Sequence, residues 1–200
     1  MYDGGRSLNP PAVKPFALRL ALDSGKLEPY TSRIERRTSA MLGAYADASA
    51  LQALIDAGDP VVYEVEQRDV PEEEGQLVCC TTVLNPGTVG DEYFMTKGHY
   101  HRVRDTSEIY LGLSGHGHLL LQVDGETSEL PVVPGTVAYV PPGWAHRTVN
   151  TGDEPFVFFA VYPAHAGHDY AAIEAAGFAR RVLRTPTGPV VVAAEEVRVD

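Results

Sequence analysis

The sequence predicts an all-β protein, a sandwich or jelly-roll barrel. From Val61 onward, roughly nine short apolar or alternating runs follow one another, the pattern of half-buried or buried strands. Turn signals such as Asn85-Pro86-Gly87, Ser114-Gly115 and Asp124-Gly125 separate them. Helical periodicity is confined to two short segments, which argues against a helical bundle or an α/β fold. The 15 prolines and 19 glycines among 200 residues point the same way, because both residues interrupt helices and build turns.

Residues 1–45 are mixed in composition. Pro10-Pro11 is followed by the alternating Phe16-Ala17-Leu18-Arg19-Leu20-Ala21-Leu22, consistent with a strand, and by a basic stretch from Arg33 to Arg37. This segment reads as an arm that packs over the barrel or onto a partner subunit, leaving residues 46–200 as the main domain. Between Asp47 and Gly58 a short helix is expected. Asp47 supplies an N-terminal cap, Leu51, Leu54 and Ile55 form an apolar stripe, and Gly58 with Pro60 ends it. Strands follow at 61–65, 77–84, 92–101, 108–113, 118–123, 129–132, 137–140, 147–150 and 156–162. The acidic turn from Pro71 to Gly75 reads as solvated, and Asp124-Gly125 reads as a hairpin turn. Asp169 is expected to cap a last short helix ending at Gly177, ahead of a final strand near Val190.

A net charge of -11 argues against nucleic acid or an anionic membrane as the main partner. It leaves room for a phosphorylated small molecule, since a local pocket can be positive or rich in N–H donors while the surface is acidic. The two cysteines, Cys79 and Cys80, are adjacent, so a disulfide framework is not expected and small packed strand residues are. No signal-peptide pattern opens the sequence, and no apolar run nears the roughly 18–20 residues of a membrane span. A reducing, cytoplasmic setting is expected.

The chemistry is concentrated in His99-Tyr100-His101, Glu108 and His146. Along a strand, alternate residues share a face, so His99 and His101 converge while Tyr100 points away. A hairpin could lay the run beginning at Glu108 beside them, and a barrel could return His146 from behind the Pro141-Pro142-Gly143 turn. Three imidazoles and a carboxylate suit Fe, Ni, Zn or Mn. The competing reading is a solvated histidine pair that binds nothing. The glutamate at a fixed offset and the later histidine favour the metal.

Longer strings carry a resemblance. Glu92-Tyr93-Phe94-Met95-Thr96-Lys97-Gly98-His99-Tyr100-His101, the run from Tyr139 to Asn150 (Tyr-Val-Pro-Pro-Gly-Trp-Ala-His-Arg-Thr-Val-Asn), and that from Tyr162 to Tyr170 (Tyr-Pro-Ala-His-Ala-Gly-His-Asp-Tyr) resemble the cupin-type glucose-6-phosphate isomerases. The similarity runs from about Val61 to Val182, with a looser match through the arm. It implies a cupin double-stranded β-helix with a short N-terminal arm and a few short helices. It also implies metal-dependent interconversion of glucose 6-phosphate and fructose 6-phosphate, a step of glycolysis and gluconeogenesis, through a cis-enediol or enediolate.

The resemblance assigns one divalent metal per subunit (iron first, with manganese, nickel or zinc as alternatives) to His99, His101, Glu108 and His146. It places the sugar phosphate near Thr82, Thr96, Gly98, Tyr162 and Tyr170, and gives catalytic roles to Glu108 and His168. A homodimer is expected as well. Some residues depart from the family pattern. His116 and His118 form a second pair, expected to be exposed and without metal, and His165 is additional. Gly143 stands where a bulkier residue is expected to be acceptable, and Trp144 is expected to wall the pocket. The alternatives are an Fe(II) cupin dioxygenase and a non-catalytic sugar-phosphate-binding cupin.

Overall fold

The computed structural model describes residues 13–197. Two antiparallel sheets form around a shared core, as the alternating runs require. The first half of the chain contributes β1 (Arg19–Leu20), β2 (Leu27–Glu28), β3 (Ser32–Arg37), helix α1 (Ala48–Asp56), β4 (Val61–Arg68), β5 (Leu77–Leu84), β6 (Thr88–Val89) and β7 (Glu92–Tyr93). Then come β8 (Tyr100–His101), β9 (Glu108–Ser114), β10 (Gly117–Val123), β11 (Glu126–Val132), β12 (Val137–Val140), β13 (Ala145–Asn150) and β14 (Phe156–Pro163). The chain closes with β15 (His168–Asp169), α2 (Tyr170–Ala176), β16 (Arg180–Thr185) and β17 (Gly188–Ala193).

The larger sheet has the order β12-β9-β14-β5-β4-β3. The second has β11-β10-β13, and bridges from Met95 to Val149 and from His99 to His146 carry it on to β8 and β15. A small sheet, β17-β16-β7-β6, flanks them. Phe156, Leu84, Leu119 and Leu120 are among the fully buried side chains between the layers. No helix among the described residues is long and apolar enough to cross a membrane.

The local signals produce the elements expected of them. The Asp47 carboxylate accepts the Ala50 N–H at 2.8 Å, and that of Asp169 accepts the Ala172 N–H at 3.2 Å, so each caps its helix. Asp124 and Gly125 take φ of 46° and 87°, the paired positive values of a type I′ turn, and β10 and β11 fold back on each other.

Several expectations need correction. The strand foreseen over 92–101 is broken into β7 and β8, because Gly98 takes φ +74°. A Cβ there would also lie 2.6 Å from the Phe178 ring, so the close approach needs glycine. The strand foreseen over 16–22 shrinks to β1, and the strand near Val190 has a partner, β16, that the sequence reading passed over. The 108–113 run is not the hairpin neighbour of the histidines. β9 pairs with β12 and β14 in the larger sheet, whereas His99 and His101 lie in the other.

Within the segment read as an arm, β3 pairs along β4 from Ser32↔Gln67 to Arg37↔Val61 and forms the edge of the larger sheet. Leu27, Met41 and Tyr45 are buried in the protein interior. Pro10-Pro11 lies outside the described residues.

Candidate metal centre and its cavity

His99 and His146 face each other across the bridge that joins their strands, with N–H···O bonds of 3.2 and 3.0 Å in the two directions and ring centroids 4.5 Å apart. His101 follows on β8. Glu108, the first residue of β9, reaches them from the opposite sheet, and its Oε2 lies 3.1 Å from His101 Nε2 and 3.0 Å from His146 Nε2. One candidate donor atom from each of the four residues lies within 4.8 Å of the others. Donors held at right angles by metal bonds of about 2.1 Å stand about 3 Å apart, so the spacing suits coordination.

The hydrogen bonds fix which nitrogens are free. His101 Nδ1 is 2.8 Å from Thr106 Oγ1 and 3.2 Å from the Thr106 carbonyl. The threonine hydroxyl donates its own hydrogen to the Val103 carbonyl at 2.6 Å, so both of its oxygens can only accept from the imidazole. Neutral His101 therefore carries its proton on Nδ1 and turns the bare lone pair of Nε2 toward Glu108. His146 does the same through the Trp144 carbonyl, 3.4 Å from its Nδ1. The Nε2 atoms of His99 and His146 are buried without a hydrogen-bond partner. Acceptors aimed at one another in a buried space repel unless a cation lies among them, so the residues present fit a divalent metal.

Protonation agrees. Burial, followed by the neighbouring imidazoles of His146, His168 and His101, holds His99 well below its ordinary value, so it is neutral at neutral pH. Burial raises the Glu108 carboxyl, and protonated His146 and His101 would lower it; with their Nε2 atoms bare, a cation among the four groups is what would keep Glu108 ionised.

The cluster forms the wall of a cavity of about 480 Å³. Thr82, Thr96, Gly98, Tyr162, Tyr170 and His168 all line it, so the residues expected to hold metal, to bind substrate or to act in catalysis are brought into one place. His168 lies on β15 at the mouth, its ring stacked on Tyr170 at 5.6 Å and edge-on to His99 at 4.3 Å. Burial lowers His168 as well, which keeps its imidazole neutral. Tyr63, Tyr110 and Arg36 also face the cavity and were missed. Tyr63 and Tyr110 sit at inward positions of strands that were foreseen, so alternation could have found them.

Three other expectations give way. Trp144 packs against the core instead of walling the cavity, because it belongs to the turn closed by its N–H to Pro141 and escapes the alternation of β13. Gly143 has φ +84°, which strains any residue with a side chain although the space around it is open. His116 is exposed, whereas His118 is half-buried rather than exposed, because it sits within β10 and pairs with Glu129 of β11; His165 lies outside the cluster. Both cysteines are free, with Cys80 buried and Cys79 half-buried in β5.

A jelly-roll barrel with three imidazoles and one carboxylate gathered at its centre is a cupin. A profile of the glucose-6-phosphate isomerase (GPI) family matches residues 35–196. The chain is 50% identical over 171 residues to the glucose-6-phosphate isomerase of Pyrococcus horikoshii, covering 85% of this chain and 90% of that one. It is 49% identical over 180 residues to that of Thermococcus litoralis (90% and 94% covered), and 42% identical over 166 residues to that of Sinorhizobium medicae (82% and 78% covered). The chain belongs to the glucose-6-phosphate isomerase family. Among solved structures it is similar to the oxalate decarboxylase of Bacillus subtilis, 23% identical with a TM-score of 0.43, over 53% of this chain and 26% of that one.

Proposed function

We propose that the protein interconverts glucose 6-phosphate and fructose 6-phosphate with a divalent metal held by His99, His101, Glu108 and His146, iron first and manganese, nickel or zinc as alternatives. The observation that carries this reading is the convergence of four buried acceptors on the wall of a hydroxyl-lined cavity, in a chain of this family. A metal bound there supplies Lewis-acid charge that offsets the negative charge developing on the sugar oxygens O1 and O2.

The protein's own groups do the rest. Glu108 would move the proton between C1 and C2, which requires its carboxylate to detach from the metal it would help to hold. His168, neutral and next to His99 but outside the ligand set, is placed to take and return a hydroxyl proton. Thr82, Thr96, Tyr162, Tyr170 and the Gly98 amide offer hydroxyl and N–H donors to the substrate and its phosphate. Glycine at position 98 lets the backbone come close. The reaction belongs to glycolysis and gluconeogenesis.

The same reading extends to assembly and setting. The N-terminal segment packs on the barrel, as β3 does along β4, and the protein forms a homodimer, for which the outward apolar side chains Ile109, Val137 and Tyr139 on neighbouring strands β9 and β12 offer a surface. Two free cysteines suit a reducing cytoplasm.

The test is a coupled assay that converts fructose 6-phosphate and reads glucose 6-phosphate through its dehydrogenase. It is run on chelator-stripped protein and again after addition of Fe, Mn, Ni or Zn. Activity lost on stripping and regained with metal is the expected result. Silence in protein shown by elemental analysis to hold metal would overturn the reading.

A further inference from the structure

The edge strand β3 presents two different faces. Arg33 and Arg37 point outward and are paired, Arg33 with Glu64 at 2.6 Å and Arg37 with Glu35 at 2.7 Å. Arg36 points inward, half-buried, and among the described residues it makes no ion pair. It is also the single lysine or arginine among the described residues lining the 480 Å³ cavity, in a chain with a net charge of -11. An arginine turned away from the many surface carboxylates and into a ligand cavity has a distinct use, because its planar fork matches the oxygens of a phosphate.

Register places it well for that use. Arg36 is paired with Tyr63 on β4, while Thr82 on β5 is paired with Val65, one pleat further along. Strand spacing puts the Arg36 and Thr82 backbones roughly 12 Å apart, a gap that an arginine side chain and a phosphate together fill. Tyr170 also lines the cavity. Its ring is 5.5 Å from that of His99.

Through the register, Arg36 is level with Leu84 of β5, whereas Ile109 beside Glu108 is level with Cys79, about 16 Å along the sheet, so Arg36 and the metal cluster lie at separate ends, as C1 and C2 of a hexose are separated from a phosphate on C6. The acidic lining residues outside the metal cluster, Asp69 and Glu72, do not compete: Glu72 pairs with Arg102 at 3.8 Å, and Asp69 is held elsewhere. It is tied to Thr31 at 2.8 Å and Ser32 at 3.1 Å, at the other end of β3, about 13 Å along the strand from Arg36.

We propose that Arg36 is the phosphate counter-ion of the cavity and selects phosphorylated over free hexose. The identity of the substrate rests on the isomerase reading, whereas the preference for a phosphate does not.

Metal-loaded Arg36→Gln and Arg36→Lys are compared with the parent protein and with Arg33→Gln, which alters only the outward face. The readouts are KM and kcat for fructose 6-phosphate, the dissociation constant for inorganic phosphate, and metal content. Arg36→Gln is expected to raise KM and the phosphate dissociation constant together by about 10- to 100-fold, the loss of one charge-assisted fork, with metal content unchanged and kcat altered much less. Arg36→Lys retains part of the affinity, and Arg33→Gln matches the parent.

Parental KM and phosphate affinity in Arg36→Gln would overturn the proposal. If that variant does not fold, parental values in Arg36→Lys would do the same, because lysine lacks the fork. If the parent binds phosphate through Arg36 but isomerises nothing, the isomerase reading fails and the counter-ion assignment stands.

Discussion

Thr106 sits in the turn before β9, and its hydroxyl hydrogen-bonds to His101 and the Val103 carbonyl, yet it decides which nitrogen of His101 is bare. Thr106→Val keeps the shape and removes the hydroxyl, leaving only the longer contact to the Thr106 carbonyl. Metal affinity is expected to fall about 10-fold, toward the low end for lost outer partners, and competition with a chromogenic chelator measures it. An unchanged affinity would mean that the carbonyl alone holds the tautomer. The four clustered residues were legible in the sequence because H-x-H followed by a glutamate and a distant histidine is a spacing that strands can close. Thr106 was not, since one threonine in a turn has no signature until its neighbours are in place. Arg36 stayed hidden for another reason. Its basic stretch was assigned to an arm, and only pairing with β4 reveals that one of those arginines faces inward.

At the level of elements, what was legible is what the chain decides locally. The capping aspartates, the Asp124-Gly125 hairpin and the strands at 77–84 and 137–140 depend on a few neighbouring residues, and they form where expected. Partnership between strands depends on residues far apart, which is why Glu108 was expected beside the histidines and stands across the barrel from them. Arg180–Thr185 was missed because arginines dominate it and only Val182 is buried, so it has little apolar rhythm. Gly143 shows that a turn can demand more than its sequence advertises. Gly143→Ala is expected to lower unfolding free energy by about 1–2 kcal/mol, the cost of a side chain at positive φ, read as a lower urea midpoint with an unchanged slope. An unaltered midpoint would show that the Pro-Pro-Gly turn relaxes freely.

For the whole molecule, the buried imidazoles link folding to pH. Burial depresses His99 in the folded state, while the unfolded chain binds a proton near the ordinary value of 6.5. The folded form's advantage is therefore complete above 6.5 and is lost as pH falls toward the depressed folded value. Metal-free protein is expected to have a lower urea midpoint at pH 5.5 than at pH 8, and a flat midpoint between them would contradict the assignment of His99 as buried and neutral.

The placement of Glu108 opposite the three histidines has a broader consequence. Coordination from both layers would make a bound ion a rivet through the barrel, and an ion that binds the folded form alone would raise its melting temperature with rising concentration. Copies without the ion would then be both idle and the easiest to unfold. In a metal-starved cell, proteolysis would remove the incapable copies first, so the surviving pool would be enriched in molecules able to turn over.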